Sequence, residues 1–454
     1  MKIILDEKLN RLSNLLDKPL YAVGGVVRNY LIDQSCCTDI DLSGPILLED
    51  MIERAKKVGF KIVATYPRTN TVVLKSDNER YEFTSFRREE YACGGEHTPT
   101  FTAFTEDILE DAKRRDFKCN AIYYDIKNEK IVDPLGGIKD VENRVLDTVV
   151  SPKEVFSHDG LRLMRLARFA GELNFKPTDE VINSAKENAD NIKDISPERI
   201  FDELKKILVC DTKNSFSDKK GHYKGLKILD QTRVLDRILP ALTLGRGMEQ
   251  RSDYHNYDVL EHSLRCVLYA PSEARLCALF HDIGKPFCKI RDGEYYLHNV
   301  EGEEIATNAL KALKADKKTI SDVRFIVRAH MIDLNGEMKE GKVRKFIVDN
   351  YDKIPLLLKI KQADYSASKD MLDQPKSVKK WIDIIEKMKG EGVPFSLKDL
   401  KITSKDLIDR GITKEKIGKT LKEIFEFTIF NPYSNNRETL IKLLDKRIKK
   451  HSSN

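Results

Sequence analysis

The sequence contains no run of about 18 apolar residues, the length a helix needs to cross a bilayer, so no membrane-spanning helix is expected. Met1–Asp6 lacks a basic stretch followed by an apolar one, and no signal peptide is expected. The eight cysteines are scattered, and the adjacent pair Cys36–Cys37 fits neither a disulfide framework nor a metal-binding spacing. Reduced thiols of a cytoplasmic protein are the expectation. No internal repeat and no low-complexity tract is present, which removes repeat arrays from consideration. Charge of one sign is not in large excess either: 79 basic and 73 acidic residues leave a net charge of +6. That balance is compatible with nucleic-acid binding without arguing for it.

At 454 residues the chain is too long for one core, and its 41% hydrophobic and 33% charged content suits several soluble domains. The expected class is an α/β head followed by an all-α remainder, divided as 1–150, 151–245, 246–370 and 371–454. In the head, Leu20–Val23, Thr38–Leu42, Lys61–Ala64, Thr71–Lys75 and Arg80–Phe86 have the β-branched and aromatic content of strands. Tyr91–Thr105, rich in Gly, Thr and Pro, reads as a loop. From Pro152 onward the pattern is helical. Ser196-Pro197-Glu198 reads as a helix start with the hydroxyl as cap, and Asp211–Tyr223 as a polar loop. Gly390–Pro394 precedes a Lys-rich tail, whose Lys446, Arg447, Lys449 and Lys450 suit either phosphate contacts or a solvated helix face.

Gly24-Gly25-Val26-Val27-Arg28 follows a strand and opens a helix. Glycines there let backbone N–H groups approach phosphates, and Arg28 falls near the helix's positive end, although an ordinary strand-to-helix turn reads the same way. Asp39-Ile40-Asp41 lies on an expected strand, where residues two apart share a face. Two such carboxylates repel unless a cation lies between them, and Mg²⁺ takes hard oxygen ligands together with phosphates. Glu82 would supply a third carboxylate from a neighbouring strand, an arrangement suited to two-metal phosphoryl transfer. The alternative for Asp-x-Asp alone is an exposed polar strand end.

Gly24–Arg28, Asp39-Ile40-Asp41 and Arg114-Arg115-Asp116-Phe117-Lys118-Cys119-Asn120-Ala121, in that order, resemble the class II tRNA nucleotidyltransferase and bacterial poly(A) polymerase family. Asp133-Pro134-Leu135-Gly136-Gly137 falls where that family has a similar stretch, and the likeness runs from about residue 18 to 210. The resemblance implies a nucleotidyltransferase head with a five-stranded sheet and Mg²⁺ on Asp39 and Asp41. It further implies nucleotide contacts from Gly24, Gly25, Arg28, Arg115, Asp116 and Asn120. The family usually has Asp where this chain has Asn29, and an Arg-rich turn where it has Glu96-His97-Thr98-Pro99.

His158-Asp159-Gly160-Leu161-Arg162-Leu163-Met164-Arg165-Leu166-Ala167-Arg168-Phe169 carries a basic residue every third position. On one helix these would be neighbours, and an Asp159–Arg162 ion pair on a solvated face is the plain reading. The sharper reading uses base chemistry. Cytosine and adenine both offer an exocyclic amine beside a ring-nitrogen acceptor. A carboxylate accepts from the first while a guanidinium donates to the second; uracil and guanine reverse both groups. The stretch resembles the family's Glu-Asp-x-x-Arg motif, with Asp159 and Arg162 in the base-reading places and Arg165 and Arg168 as further nucleotide contacts. His158 stands where the motif begins with Glu.

Five of the nine histidines fall within 255–364. His262, the adjacent His281-Asp282 and Asp364 resemble the ligand set of the HD phosphohydrolase superfamily, with His298 and His330 where two-metal members have extra ligands. Imidazole and carboxylate ligands suit Mn²⁺, Ni²⁺ or Co²⁺ activating water. A purely structural domain is the alternative. Together the resemblances imply an enzyme adding C and A to the tRNA 3′ end from CTP and ATP. The alternatives are a poly(A) polymerase or a CC-only or A-only enzyme, and, in another class, an HD phosphohydrolase whose head binds RNA.

Overall fold

The computed structural model describes residues 3, 5–34, 40–77, 79–91 and 99–452, with side chains as far as 446. The chain divides into two compact units, residues 1–245 with 308–316, and residues 246–307 with 317–454. No helix among the described residues is long and apolar enough to cross a membrane.

The first unit begins as α/β. Strands β1 (Tyr21–Val23), β2 (Asp41–Gly44), β3 (Lys61–Tyr66), β4 (Thr71–Ser76) and β5 (Glu79–Ser85) match the five expected strands within a few residues. The second starts at Asp41 rather than Thr38, and Asp39 lies outside the described residues. Next come β6 (Arg87–Glu90), β7 (Phe101–Phe104), β8 (Tyr123–Asp125) and β9 (Lys130–Val132). The main sheet has seven strands, ordered β3-β4-β5-β2-β1-β8-β9, where the resemblance implied five. The extra hairpin, β8–β9, adds to the β1 edge because Tyr123 and Tyr124 are buried there, and the Asp125 carboxylate accepts from Asn128 N at 3.0 Å to fix the turn. Only β2 and β5 run parallel within this sheet, aligning Asp41 with Glu82. The expected loop at 91–105 contains β7, which pairs with β6 as a separate hairpin; residues 92–98 of that stretch lie outside the described residues.

Helices then dominate, the exception being a two-residue pairing of Val145–Leu146 with Lys176–Pro177. The helix Leu161–Leu173 is almost entirely buried, and the helix Gly221–Gln231 packs across it. They meet at Gly171 and Gly221, where a Cβ on either residue would run into the other's carbonyl. Side-chain-free contact lets the two backbones approach. That contact also starts the second helix at Gly221, inside the expected polar loop. Ser196 is the N-cap of the helix Pro197–Leu208, but its hydroxyl makes no capping bond, so proline at the first position carries the start.

The second unit is all-helical among the described residues. The helix Val259–Tyr269 packs along Ile354–Lys369 and against Arg275–Phe280, which also contacts Lys317–Ala329. Beyond Gly390, Leu400, Ile402, Leu407, Ile424, Leu440 and Leu444 form a core of their own.

Candidate nucleotide and metal sites

A cavity of about 470 Å³ in the first unit gathers residues far apart in sequence. Asp41 reaches it from the sheet, Gly24, Gly25 and Arg28 from the start of the helix Gly25–Ile32, Arg115, Asp116 and Asn120 from the turn before β8, and Asp159, Arg162, Arg165 and Arg168 from the helical part. Gly24 has φ +75°, a conformation glycine adopts without strain, and opens the helix Gly25–Ile32 toward the cavity. Glu82 is exposed opposite Asp41 but does not line the cavity. Asp133, by contrast, is structural: its carboxylate accepts from Gly137 N at 2.8 Å and Ile138 N at 2.9 Å, capping the helix Gly137–Asn143.

The cavity's cations are held in place by buried acceptors. Arg28 donates to Asn29 Oδ1 from Nε and Nη2 at 3.1 and 2.8 Å, and from Nη1 to Asn120 Oδ1. Asn120 in turn donates to Asp116 Oδ1 at 3.0 Å, and Asp116 Oδ2 is 2.5 Å from Arg165 Nη2. Burial opposes ionisation of Asp116, yet Arg165 and Asn120 hold its carboxyl well below the usual carboxylate range. Arg168 pairs with Glu203 and with Glu172, the latter at 3.0 Å, and Glu172 also lies 3.9 Å from Arg28. Arg114 and Arg115 share Asp111, which is fully buried; burial works against it, but the two guanidinium groups depress its carboxyl to about 2. Three guanidinium groups surround one ring: Arg28, Arg165 and Arg168 lie 5.1, 5.1 and 4.2 Å from the Phe169 centroid.

The stretch His158–Phe169 departs from a single helix. The helix Pro152–His158 ends, Asp159 is extended at φ −148°, and the next helix begins at Leu161. The break has a local cause, since Asp159 Oδ1 accepts from Leu161 N at 2.9 Å and so competes with helical bonding. The plain alternative, an exposed Asp159–Arg162 ion pair, is not found among the described residues. Arg162 is buried and donates from Nη1 to Val155 O at 3.2 Å and from Nη2 to Arg114 O at 2.5 Å. His158 stacks on Tyr91 with ring centroids 4.7 Å apart.

Asn29, Arg114, Leu161, Phe169, Arg199 and Lys213 also line the cavity and were not picked out from the sequence as contacts. Phe169 ends the arginine-rich stretch and Arg199 follows Ser196-Pro197-Glu198, so both lay within reach of motif reading. Lys213 sits in a stretch with no signal.

In the second unit six side chains converge. Asp282 Oδ2 lies 3.5 Å from His262 Nε2 and 3.2 Å from His281 Nε2, while Oδ1 lies 3.2 Å from His298 Nε2 and 3.5 Å from His330 Nε2. Asp364 Oδ1 closes the first group, 3.0 Å from His262 and 3.6 Å from His281. Asp282 thus bridges two clusters of ligand atoms. The tautomers suit a cation. Nδ1 of His281, His298 and His330 donate to the carbonyls of Ala278, Tyr295 and Val327 at 2.7, 2.8 and 2.9 Å, leaving each Nε2 lone pair facing inward when the ring is neutral. Nε2 of His298 and His330 are 3.2 Å apart, an arrangement of two facing lone pairs that a cation relieves. Burial opposes charge on Asp282, but His281 and Lys285, whose Nζ is 2.7 Å away, hold it well below the usual carboxylate range. The residues therefore fit a divalent metal. In the C-terminal helix Arg437–Ser452, Lys446 is exposed; the side chains of Arg447, Lys449 and Lys450 lie outside the described residues.

Residues 20–147 match the poly A polymerase head domain, 174–244 a probable RNA- and SrmB-binding region of polymerase A, and 254–379 an HD domain. The chain is 36% identical to a CCA-adding enzyme of Geobacillus sp. strain WCH70 over 41% of this chain and 45% of the relative. It is 30% identical to an A-adding tRNA nucleotidyltransferase of Deinococcus radiodurans over 61% of this chain and 64% of the relative. These matches thus span about half to two thirds of the relatives' length. In fold, the chain resembles the CCA-adding enzyme of Bacillus stearothermophilus solved in complex with CTP, with a TM-score of 0.65 and 19% identity over 99% of this chain and 100% of that one. With the head, RNA-binding and HD segments succeeding one another along it, the chain is similar to the tRNA nucleotidyltransferase and poly(A) polymerase family in a form that carries an HD domain.

Proposed function

We propose that this protein is a cytoplasmic tRNA nucleotidyltransferase that builds the 3′-terminal CCA from CTP and ATP without a nucleic-acid template. The observation that carries the reading is the cavity into which Asp41, Arg28, Arg115, Asp159 and Arg162 all open. A phosphate cradle, a metal-binding carboxylate and a base-reading pair are the three parts such a reaction needs in one place.

In the proposed reaction the RNA 3′-hydroxyl attacks the α-phosphate of the bound nucleotide and pyrophosphate leaves. Gly24, Gly25, Arg28 and Arg115 hold the triphosphate, Arg28 fixed by Asn120, which Asp116 holds in turn, and Arg115 fixed by Asp111. Asp159 accepts from the exocyclic amine of cytosine or adenine, and Arg162 donates to the ring nitrogen. A guanidinium has five N–H donors, so bonds to two carbonyls still leave it donors for a base. Asp39 and Asp41 would hold Mg²⁺, with Glu82 beside Asp41 as a third carboxylate. Bound there, Mg²⁺ supplies charge neutralisation for the triphosphate and a more acidic 3′-hydroxyl.

Transcripts of tRNA ending before CCA, after C and after CC, each offered one labelled nucleotide, test this. Incorporation of C, C and A respectively, followed by arrest, is expected. Long A tails on unrelated RNA would replace the reading with poly(A) polymerase, and addition confined to C or to A would assign a CC- or A-adding enzyme.

The bridged cluster around Asp282 supports a second activity on the same chain, a metal-dependent phosphohydrolase. His262, His281, Asp282 and Asp364 would hold one ion, and His298 and His330, with Asp282, another, of Mn²⁺, Ni²⁺ or Co²⁺. Its proposed substrates are 2′,3′-cyclic or 3′-phosphates on RNA, groups that block the hydroxyl the transferase needs. Should the head bind RNA without transferring nucleotides, this hydrolase would be the protein's activity.

A further inference from the structure

The cavity's other arginines all have acceptors in the protein. Arg28 is held by Asn29 and Asn120, Arg114 and Arg115 by Asp111, Arg162 by two carbonyls, Arg165 by Asp116, and Arg168 by Glu203 and Glu172. Arg199 is the exception. Its Nη1 is shielded from solvent and has no hydrogen-bond partner among the described residues, although it lines the same cavity. A buried guanidinium N–H without an acceptor costs the desolvation of a charged donor.

Its position adds a second cost. Arg199 is the third residue of the helix Pro197–Leu208, within the first turn, where the helix dipole disfavours a cation. The neighbouring Glu198, which suits that end, is exposed and does not line the cavity. Lys213 lines the same cavity, and its Nζ lies 3.8 Å from Glu172 Oε1, beyond hydrogen-bond reach. That carboxyl group already serves Arg168 at 3.0 Å, Asn214 at 3.4 Å and Arg28 at 3.9 Å. An under-paired guanidinium, an exposed ammonium and the positive end of a 12-residue helix therefore border one cavity.

We propose that Arg199 and Lys213 bind a phosphate group, either the triphosphate tail of the incoming nucleotide or a phosphodiester near the RNA 3′ end. A phosphate oxygen accepts from the planar fork of Arg199, and Lys213 supplies a point charge beside it. This deepens the transferase reading and rests on it for the identity of the ligand. The phosphate chemistry rests on the cavity alone.

The test compares full-length parent with Arg199→Ala, Arg199→Gln, Arg199→Lys and Lys213→Ala. Arg199→Gln keeps bulk and hydrogen bonding without charge, which covers the case in which the alanine variant folds poorly. Removing Arg199 should raise one KM by about 10- to 100-fold, the range of a charge-assisted hydrogen bond, with kcat within about three-fold of the parent and partial recovery in Arg199→Lys. A raised KM for CTP with a matching loss of pyrophosphate affinity by calorimetry assigns the nucleotide's phosphates. A raised KM for a tRNA transcript lacking CCA, with pyrophosphate affinity unchanged, assigns the RNA. If the parent incorporates no nucleotide, the transferase reading falls, while pyrophosphate calorimetry and RNA binding on the same variants still decide the phosphate site. Pyrophosphate and RNA affinities within about two-fold of the parent in correctly folded Arg199→Gln would overturn the proposal.

Discussion

Asp41 and Glu82 are register partners on the parallel strands β2 and β5, and both are exposed. Register partners share a face of the sheet, so two carboxylates stand side by side at the edge of the cavity that Asp41 lines. Asp41→Asn is expected to lower single-turnover incorporation by about three orders of magnitude while tRNA binding persists, because a catalytic metal contributes several kcal/mol to the transition state. Glu82→Gln, on the neighbouring strand and outside the cavity lining, should raise the Mg²⁺ concentration needed for half-maximal rate. Parent-like rates in Asp41→Asn at every Mg²⁺ concentration would remove the metal from this strand pair.

Base choice should respond differently. Asp159→Ala and Arg162→Ala are expected to narrow the preference for CTP and ATP over UTP and GTP, each lost contact being worth about 1–3 kcal/mol of discrimination. Arg162 also holds the Arg114 and Val155 carbonyls, so Arg162→Ala should in addition lower the melting temperature, whereas Asp159→Ala should do so less. The ratios of kcat/KM for the four nucleotides check this. Unchanged ratios in both variants would place base selection elsewhere.

These two sites differ in how far the sequence exposes them. Gly24, Arg28, Asp41 and Arg162 are legible because glycine, paired carboxylates and spaced arginines each have a chemical meaning that survives without coordinates. The break at Asp159 is not, because it depends on whether a carboxylate turns back onto the Leu161 N–H or outward. Asp111, Glu172 and Glu203, which hold the arginines, read in sequence as ordinary helix-surface acids; their burial is a product of tertiary packing. Strands β2 to β5 follow from β-branched and aromatic content and the three-residue β1 from its apolar run before Gly24-Gly25, whereas β8 and β9, equally short, have no such marker and are too short to display a period. The converging side chains of the second unit are legible as types, but the bridging position of Asp282 requires the five histidine and aspartate partners to be seen together.

The ring at Phe169 offers a test of how the arginines are arranged. Cation–π attraction from one ring to three guanidinium groups weakens as fluorine withdraws electron density, with little change in ring size. Replacing Phe169 by mono-, di- and trifluorophenylalanine should raise the KM for CTP and ATP stepwise, while kcat changes less. A flat series would reduce Phe169 to packing.

Stability supplies a prediction independent of activity. At the crossing of Leu161–Leu173 and Gly221–Gln231, a Cβ on Gly171 or Gly221 meets backbone rather than a flexible side-chain end. Neither helix can yield without moving its neighbours. Gly171→Ala and Gly221→Ala should each destabilise the first unit by about 1–3 kcal/mol, the usual cost of overpacking, visible as a lower denaturation midpoint. A midpoint equal to the parent's in both would mean that the crossing relaxes.

The bridge through Asp282 makes the final prediction asymmetric. Its Oδ2 faces His262 and His281 and its Oδ1 faces His298 and His330, so it alone among the six belongs to both groups. Removing His298 or His330 takes a ligand from one group and leaves the His262, His281, Asp282 and Asp364 set whole. Removing Asp282 opens both. In protein loaded with Mn²⁺, Ni²⁺ or Co²⁺ and then desalted, His330→Ala should retain about half the metal of the parent, and Asp282→Ala should retain almost none, as read by elemental analysis. Lys285 sharpens the contrast, because its Nζ, 2.7 Å from Asp282, would be left buried without its carboxylate and would repel a cation. Hydrolysis of 2′,3′-cyclic nucleotides should fall to background in Asp282→Ala, while incorporation of CTP and ATP persists, since none of these six side chains lines the first unit's cavity. Equal metal content in the two variants would mean that Asp282 does not join the groups. Loss of nucleotide incorporation in a folded Asp282→Ala would tie the two activities together in a way their separate ligand sets do not explain.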